Sequence, residues 1–456
     1  LNTLFIAAFF KIFGNWVTAA TAVSVCFGTL TLLPLFGLAR TFFHREIAAL
    51  VTLVYAMTPM LVDGSVDIVR DPVYWFFAVL GFYLFTRRRQ QTATWLLLSS
   101  CAFLLATSMR IEAIVFLLVV PLFIFLDGRE YPLRRTGIFL LPVVLILLAG
   151  IGGQIWLHSG TINWYRLTDI HNWILRAFSG YENLRLSLKG LIRQPPAGIP
   201  VEFFHNVKNI LWFIGFGVVF QNALETFFYP FVPIYLIGLV GIRQRLAEDR
   251  RGLFFVLSVT AAFVLLYFFV FIDWQMENRW LALALLPSFL FLGFGMEKLV
   301  AFSQRKFSLK KGTALVLIGL LILLFTLPKN MQARGDDKVI YKTIGETIAN
   351  REGNSRKIEI MTLGVASRWV LFYANQRFPG APCPDEYFYY YEWIGDDYNR
   401  FVDALKTRGM KYLVWEERTW PKDRFDFIKS PYERDFMRLG SWSHPDTGEI
   451  VLFELR

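Results

Sequence analysis

The sequence predicts a polytopic α-helical membrane protein that ends in a C-terminal extracytoplasmic α/β domain. Of its 456 residues, 55% are hydrophobic and only 18% are charged, whereas soluble domains average about 45–50% and about 25%. The 46 Phe and 14 Trp residues suit a membrane protein, because aromatic rings favour the membrane interface. Together with a mean hydropathy of +0.44, this composition excludes a water-soluble multidomain protein.

Apolar runs locate the membrane helices. A span needs about 17–25 mainly apolar residues, and runs near this length recur ten times within residues 1–327. We predict that each run is one span. The ten runs are 16–38, 47–62, 72–86, 92–108, 111–126, 137–157, 227–242, 253–272, 280–296 and 313–327.

The distribution of positive charge predicts the orientation. Alternate connections carry two to five Lys or Arg each, whereas the short connections between them carry one each, Arg70, Arg110 and Arg279. Because cytoplasmic loops are enriched in Lys and Arg, we expect residues 1 and 328–456 to lie outside the cytoplasm, in a multi-pass protein of the cytoplasmic (inner) membrane. The net charge of +11 is then an orientation signal, and nucleic acid is not an expected partner.

One of two long outer segments is 158–226. Its apolar positions within 201–220 predict helices that lie along the membrane surface. Its cations indicate either a site that binds lipid phosphate or a long loop that is translocated across the membrane regardless of its charge. They are Arg166, Arg176, Arg185, Lys189, Arg193, His205 and Lys208.

The second outer segment, 328–456, predicts a soluble α/β domain because helical and strand patterns alternate. Helices are expected at 339–350, 367–374 and 401–408, and strands at 357–362, 412–416 and 449–454. The segment has no phosphate-binding glycine loop and no nucleophile elbow, so we expect an accessory domain. Cys26, Cys101 and Cys383 have the spacing of neither a disulfide framework nor a zinc site.

The first candidate site is the sequence DGSVDIVRDP, which contains Asp63, Asp67, Arg70 and Asp71. If this stretch is helical, Asp67 and Asp71 share a face. Pro72 suits a first helical position and makes Asp71 a candidate cap. Two interpretations stay open: a capped helix with a solvated acidic loop, or carboxylates held beside an arginine to orient an acceptor or to bind a divalent metal.

Two further sites contain an arginine beside acidic residues. Arg110 and Glu112 lie in a turn between two very apolar spans, which predicts either a structural ion pair or binding of an anionic ligand. Asp273, Glu277 and Arg279 precede another span, where Arg279 is either functional or simply extends to the interface. Ionisable residues at such positions are functional candidates by default.

The combination of outer arginines and carboxylates predicts a type of chemistry. Arginine binds phosphate through two parallel hydrogen bonds, and an acceptor hydroxyl needs a carboxylate as general base. Transfer from a lipid-linked phosphate donor uses both.

The chain resembles the GT-C glycosyltransferases of the protein O-mannosyltransferase and lipid A aminoarabinose transferase type. The resemblance covers most of the chain, through the order and spacing of its motifs. The motifs are LNTLFIAAFFKIFGNW, TLTLLPLFGLARTFFHREIAALVTLVYAMTP, DIVRDPVYWFFAVLGFYLFTRR, TSMRIEAIVFLLVVPL, ENRWLALALLPSFLFLGFGMEKL, YKTIGETIANREGNSRKIEIMT and RGMKYLVWEE.

The resemblance implies roles for individual residues. Asp71 matches an acidic active-site position at the outer start of a membrane helix. Arg279 matches the arginine of the family's RY…P pattern, with Trp280 in place of Tyr, and Arg110 falls near the R-x-E turn close to the donor phosphate. The family's main catalytic carboxylate lies in the first outer loop, and Leu1 resembles a position beyond it. We therefore expect the chain to begin after the family's first helix and first outer loop.

These observations predict an inverting membrane glycosyltransferase that moves a hexose or pentose from a polyprenyl-phosphate-linked donor to a lipid, glycan or protein acceptor on the extracytoplasmic face. The partners expected are this donor and membrane lipids, and a divalent metal is left open as a cofactor. The predicted site has three groups of residues. They are Asp71 and Asp67 as catalytic residues, Arg70, Arg110 and Arg279 for the donor phosphate, and Glu112 and Glu277 in support.

The main alternative is a polytopic transporter or lipid flippase with an outer accessory domain. Transporters place polar groups near the bilayer midplane in interrupted helices, whereas the charges here lie at the outer ends of the spans. A non-catalytic scaffold whose outer domain binds partners is the third interpretation.

Overall fold

The computed structural model describes residues 1–456 except 88–91, 157–164, 241, 243–244, 247–248, 333–335, 354–356, 364–365, 377–393, 396 and 446. The chain divides into two compact units, Leu1–Met331 and Gln332–Arg456.

The described part of the first unit is helical. Short 3-10 turns, Ile111–Ala113, Tyr229–Phe231 and Asn278–Leu281, precede three of its helices. The helices are α1 (Asn2–Phe13), α2 (Trp16–Leu30), α3 (Leu32–Arg40), α4 (Arg45–Met57), α5 (Pro59–Val66), α6 (Asp71–Thr86), α7 (Ala93–Met109), α8 (Ile114–Leu126), α9 (Pro132–Trp156), α10 (Tyr165–Arg193), α11 (Val201–Asn209), α12 (Leu211–Thr226), α13 (Val232–Val240), α14 (Arg251–Asp273), α15 (Ala282–Phe307) and α16 (Lys311–Asn330).

Each of the ten predicted spans coincides with one or two of these helices. Among the described residues, five helical segments have the length and composition to cross a membrane, Trp16–Arg40, Pro132–Gly150, Arg251–Ile272, Asn278–Phe307 and Lys311–Asn330. Two helix pairs, α4 with α5 and α11 with α12, also qualify but are bent by 58° and 71°. The other apolar helices are shorter than 18 residues, so the number of ten spans stays a prediction.

Phe82 of α6 lies at the centre of the helical core. Its ring contacts Phe103 of α7, Phe116 of α8 and both Phe254 and Phe255 of α14, at centroid distances between 4.8 and 5.8 Å. Aromatic pairs at such distances contribute about 0.5–1.5 kcal/mol each beyond the area that they bury. Helix α6, which begins with the candidate residue Asp71, is therefore held on several sides.

Glycines allow α13 and α15 to approach closely. A Cβ atom on Gly238 would fall 1.9 Å from the carbonyl oxygen of Phe291, and one on Gly295 would fall 2.0 Å from that of Ile234. Small residues permit this backbone contact between membrane helices. Most residues of α15 between Ala282 and Met296 are buried, as expected of a helix that is apolar all round.

The second unit is a small α/β domain. Its helices are α17 (Asp336–Glu352), α18 (Ala366–Asn375) and α19 (Tyr398–Thr407), and its strands are β1 (Ile360–Met361), β2 (Tyr412–Glu416), β3 (Phe436–His444) and β4 (Gly448–Leu455). The sheet order is β1-β2-β4-β3. Strands β1 and β2 are parallel, and β4 is antiparallel to both β2 and β3.

The predicted helices coincide with α17, α18 and α19, and the three predicted strands coincide with β1, β2 and β4, whereas β3 has no counterpart among the predictions. Strand β1 is shorter than the predicted 357–362. Strand β3 was not predicted, because Gly440 and polar residues obscure its pattern and the register shifts between Arg438 and Gly440. Residues 377–393, a stretch rich in Pro and Tyr that includes Cys383, lie outside the described residues.

Candidate functional site

A buried ion pair joins Asp71 and Arg110, which belong to two different motifs of the sequence. Asp71 is the first residue of α6 and is only 1% exposed. Its Oδ1 atom accepts a hydrogen bond from Nε of Arg110 at 2.5 Å. Arg110, the first residue after α7, is 5% exposed. Two charged residues 39 positions apart are thus brought together away from solvent.

Glu112 supplies a second carboxylate to the same arginine. It lies in the 3-10 turn Ile111–Ala113, and its Oε1 atom is 3.7 Å from Nη1 of Arg110. Asp71, Arg110 and Glu112 are called the Asp71 cluster below. The cluster has a formal charge of −1, and such a buried excess charge is costly.

Three polar atoms near this cluster have no hydrogen-bond partner among the described residues. They are the Tyr74 hydroxyl, the Trp75 indole nitrogen and Oε2 of Glu112, all buried. Tyr74 and Trp75 lie in the first turn of α6 after Asp71. Buried polar atoms without partners are rare and call for an explanation such as a ligand or water. Neither residue was predicted from the sequence, although Tyr74 lies three positions after Asp71 and so on the same helical face.

The segment between α5 and α6 corrects two expectations. Helix α5 ends at Val66 and α6 begins at Asp71, so Asp67 and Asp71 are not on one helical face. Asp71 does not cap α6, because it is the first residue of the helix and its carboxylate bonds Arg110 instead. Asp67 is partly buried and Arg70 is exposed. Sequence spacing could not reveal this because the partner of Asp71 comes from another helix.

The turn Asn278–Leu281 holds the third arginine. Arg279 pairs with Glu277, and both side chains are about half exposed. The Asn278 carbonyl accepts a hydrogen bond from the Thr226 hydroxyl at 3.3 Å, which fixes the turn to the end of α12. The turn also packs against α5, the helix that ends just before Asp67.

The remaining predicted residues lie elsewhere. Arg176, Arg185, Lys189, Arg193 and His205 are exposed, and Lys208 is half-buried. Arg185 pairs with Glu182 at 3.4 Å. The side chains of Arg166 and Asp273 lie outside the described residues. Among the residues that the structure describes, no three His, Cys, Asp or Glu side chains form a group that could hold a metal ion.

Comparisons with known proteins give a consistent class. A family model described as dolichyl-phosphate-mannose-protein mannosyltransferase matches residues 1–156. The solved structure of ArnT from Cupriavidus metallidurans in the apo state matches with a TM-score of 0.58 at 13% identity, over 99% of this chain and 86% of ArnT. The Archaeoglobus fulgidus oligosaccharyltransferase, solved with Zn and sulfate, matches with a TM-score of 0.55 at 12% identity, over 99% of this chain.

This chain spans 64% of the length of that oligosaccharyltransferase. A search of curated protein sequences finds no match. At identities of 12% and 13% the solved structures show the fold, and the family model matches about the first third of the chain. The predicted resemblance and fold class are confirmed: the chain is a helical membrane protein with the GT-C glycosyltransferase fold.

Proposed function

We propose that the protein is a membrane glycosyltransferase that moves a sugar from a polyprenyl-phosphate-linked donor to an acceptor on the extracytoplasmic face, with inversion at the sugar carbon. The observation that carries the proposal is the buried Asp71 cluster, in a chain with the GT-C fold. The cluster lies at the end of the helices where the short-loop arginines Arg70, Arg110 and Arg279 lie. The family model that matches residues 1–156, described as dolichyl-phosphate-mannose-protein mannosyltransferase, supports the lipid-phosphate donor.

In this proposal the acceptor side is organised by carboxylates. Arg110 fixes the Asp71 carboxylate. Because Arg110 is buried, the role assigned to it is to position Asp71 and not to contact a phosphate directly. The net charge of −1 in the Asp71 cluster also disfavours an anion there. Asp67 lies in the non-helical segment just before Asp71 and is partly exposed, so it is the carboxylate assigned to the acceptor.

The donor side is assigned to the two accessible arginines, Arg70 and Arg279. Each has N–H donors that bind two phosphate oxygens at once, and each lies on a segment that borders α5. Glu277 holds the Arg279 guanidinium when no donor is bound. Removal of charge from this position would leave the departing phosphate less stabilised.

The reaction balances without a metal ion or a redox partner. The acceptor oxygen forms a bond to the sugar C1 while the bond from C1 to the phosphate oxygen breaks. The acceptor proton passes to a carboxylate, and the polyprenyl phosphate leaves as an anion that Arg70 and Arg279 stabilise.

The test is transfer of radiolabelled sugar from a synthetic polyprenyl-phosphate donor by the chain in liposomes. We expect Arg279→Ala to lower kcat/KM for the donor by about 100-fold to 1000-fold, the range for loss of one charge-stabilising donor group. Arg279→Lys should recover only part of the activity, because lysine cannot form the two parallel hydrogen bonds.

Arg438→Ala is the matched control. Arg438 is also an arginine paired with a glutamate, and its side chain is 49% exposed against 48% for Arg279. We expect this variant to leave transfer unchanged. Equal activity in Arg279→Ala and Arg438→Ala would contradict the donor assignment. Movement of the donor across the bilayer without transfer would show a flippase and not an enzyme.

A further inference from the structure

A short connection joins the last two helices of the first unit. Helix α15 ends at Phe307, and α16 begins at Lys311. Ser308 turns the chain between them with a left-handed backbone, at φ 53°. Asn278–Phe307 and Lys311–Asn330 both have the length and composition to cross a membrane. We therefore expect this α15–α16 connection to lie at the membrane surface, at the depth of the lipid headgroups.

Three exposed cations of the connection have no acidic partner among the residues that the structure describes. Arg305 and Lys306 belong to the last turn of α15, and Lys310 is the residue just before α16. All three are exposed. The fourth cation, Lys311, lies 3.7 Å from Glu46, and both of these side chains are half exposed. At least three positive charges are thus available to a partner outside the chain.

Other cation-rich connections contain paired cations. Two arginines near the end of α8 pair with Asp127, and Arg251 at the start of α14 pairs with Asp249. Around the α15–α16 connection, by contrast, the sequence contains no Asp or Glu between Glu297 and Asp336. Orientation in the membrane depends on the number of Lys and Arg and little on acidic residues. Orientation therefore explains why cations are present here, but not why they have no acidic partners.

Two exposed phenylalanine side chains lie beside these cations. Phe302 is 55% exposed and Phe307 is 62% exposed, and their rings meet edge to face with centroids 6.1 Å apart. Phe302 precedes Lys306 by four residues, so these two side chains are neighbours on one face of α15. Helices that bind the boundary between headgroups and acyl chains combine basic and aromatic side chains in this way. The connection therefore offers a lipid both a charged and an apolar contact.

We propose that the α15–α16 connection binds the headgroups of anionic phospholipids in the leaflet that it faces. Arg305, Lys306 and Lys310 contact the phosphates, while Phe302 and Phe307 insert between the first carbons of the acyl chains. Charge decides the choice of lipid, because unpaired cations attract an anionic headgroup and repel the ammonium of a zwitterionic one. The surface takes no part in the proposed transfer chemistry, so either proposal can fail without the other.

The test titrates the purified full chain in a mild detergent with phosphatidylglycerol and with phosphatidylcholine of the same acyl chains. Native mass spectrometry counts the bound lipids. We expect wild-type protein to prefer phosphatidylglycerol. Arg305→Gln, Lys306→Gln and Lys310→Gln should each lower this preference about fivefold, which corresponds to about 1 kcal/mol for one cation near a membrane surface. The triple variant should remove the preference.

Two controls separate charge from packing. The triple variant Arg305→Lys, Lys306→Arg and Lys310→Arg keeps every charge and should keep the preference. The double variant Phe302→Ala with Phe307→Ala should weaken binding of both lipids equally, because an apolar contact does not distinguish their headgroups. Each single Gln variant retains three of the four cations, so its effect is measured with the loop charge that orients the helices largely intact.

Two results would overturn the proposal. An unchanged preference for phosphatidylglycerol in the triple Gln variant would show that these cations serve orientation alone. The third probe is inorganic phosphate. Equal binding of the two lipids by wild-type protein, together with phosphate binding that Lys310→Gln removes, would show a free-phosphate site in place of a lipid surface.

Discussion

Two buried carboxylates at different connections of the helical unit differ in their balance of charge. Asp71 forms an ion pair with one arginine, Arg110, which also lies near Glu112. Asp127 has two, Arg129 at 2.7 Å and Arg135 at 3.5 Å. The Asp71 cluster thus carries −1, whereas Asp127 with its two arginines carries +1.

The difference indicates which cluster is structural. Asp127 is the first residue after α8, in a cation-rich connection, and its carbonyl also accepts a hydrogen bond from Arg250 at 3.1 Å. Its ion pairs and this hydrogen bond therefore have a structural role, because they join neighbouring connections. Glu112, whose side chain is 13% exposed, adds a second carboxylate to an arginine that Asp71 already neutralises. Because that arrangement opposes stability, we infer that the Asp71 cluster is retained for function.

The largest effect is expected from Arg110→Ala. It leaves Asp71 and Glu112 buried without their shared cation, which should lower the free energy of unfolding by about 3–5 kcal/mol. A dodecyl sulfate titration of the full chain measures this loss. The double variant Asp71→Asn with Arg110→Gln should recover part of the lost free energy. A loss of less than about 1 kcal/mol in Arg110→Ala would contradict the prediction, because it would equal that of an ordinary surface ion pair.

Gly64→Ala tests the packing of α5 beside the Asp71 cluster. A Cβ atom on Gly64 would lie 2.5 Å from the ring of Trp75, which is fully buried and cannot turn away. Overpacking of this kind destabilises by about 1–3 kcal/mol. Gly137→Ala is the control, because nothing lies near its Cβ position in α9, and alanine there should stabilise the helix slightly. A neutral Gly64→Ala would mean that α5 is free to shift.

Asp127→Asn should have a smaller effect than either. Asparagine still accepts a hydrogen bond, and Arg129, whose side chain is 34% exposed, can turn to solvent. The loss is then the difference between charged and neutral hydrogen bonds, about 1 kcal/mol, in the same titration. A loss as large as that of Arg110→Ala would remove the contrast between the two carboxylates.

The smallest effect concerns the pH dependence of the second unit. Burial raises the pKa of Glu416, opposed by hydrogen bonds with Thr419 and Tyr341. The stability that Glu416 contributes is therefore complete below its unfolded pKa of 4.5 and is lost as pH rises through the folded value. Glu416→Gln should gain stability relative to wild type as pH rises from 4 to 7, seen in thermal midpoints of the full chain. A constant difference over this range would contradict the raised pKa.

Asp435 should show the opposite trend. Burial raises its pKa, but hydrogen bonds from Arg434, Tyr398 and Lys406 outweigh burial and leave the pKa lowered. Its contribution is present above the unfolded pKa of 3.8 and is lost as pH falls through the folded value. Asp435→Asn should therefore approach wild-type stability only at the acidic end of the same series.

The sequence predicted the helices well and the candidate site only in part. Helices coincide with all ten apolar runs because apolar length and periodicity are local properties. Asp71, Arg110 and Glu112 were each singled out from charges beside apolar spans. Their grouping was not predicted, and neither was the place of Tyr74 and Trp75 beside them, since no local pattern shows which helix ends meet.

By itself the sequence determined the membrane class, the positions of the apolar helices and the short list of outer arginines and carboxylates. Each follows from composition and charge read along the chain. Tertiary structure decided which carboxylate each arginine binds, burying Arg110 against Asp71 while leaving Arg279 and Glu277 half exposed. Such pairings depend on helix packing, and packing joins residues whose separation in the sequence carries no information about their distance in space.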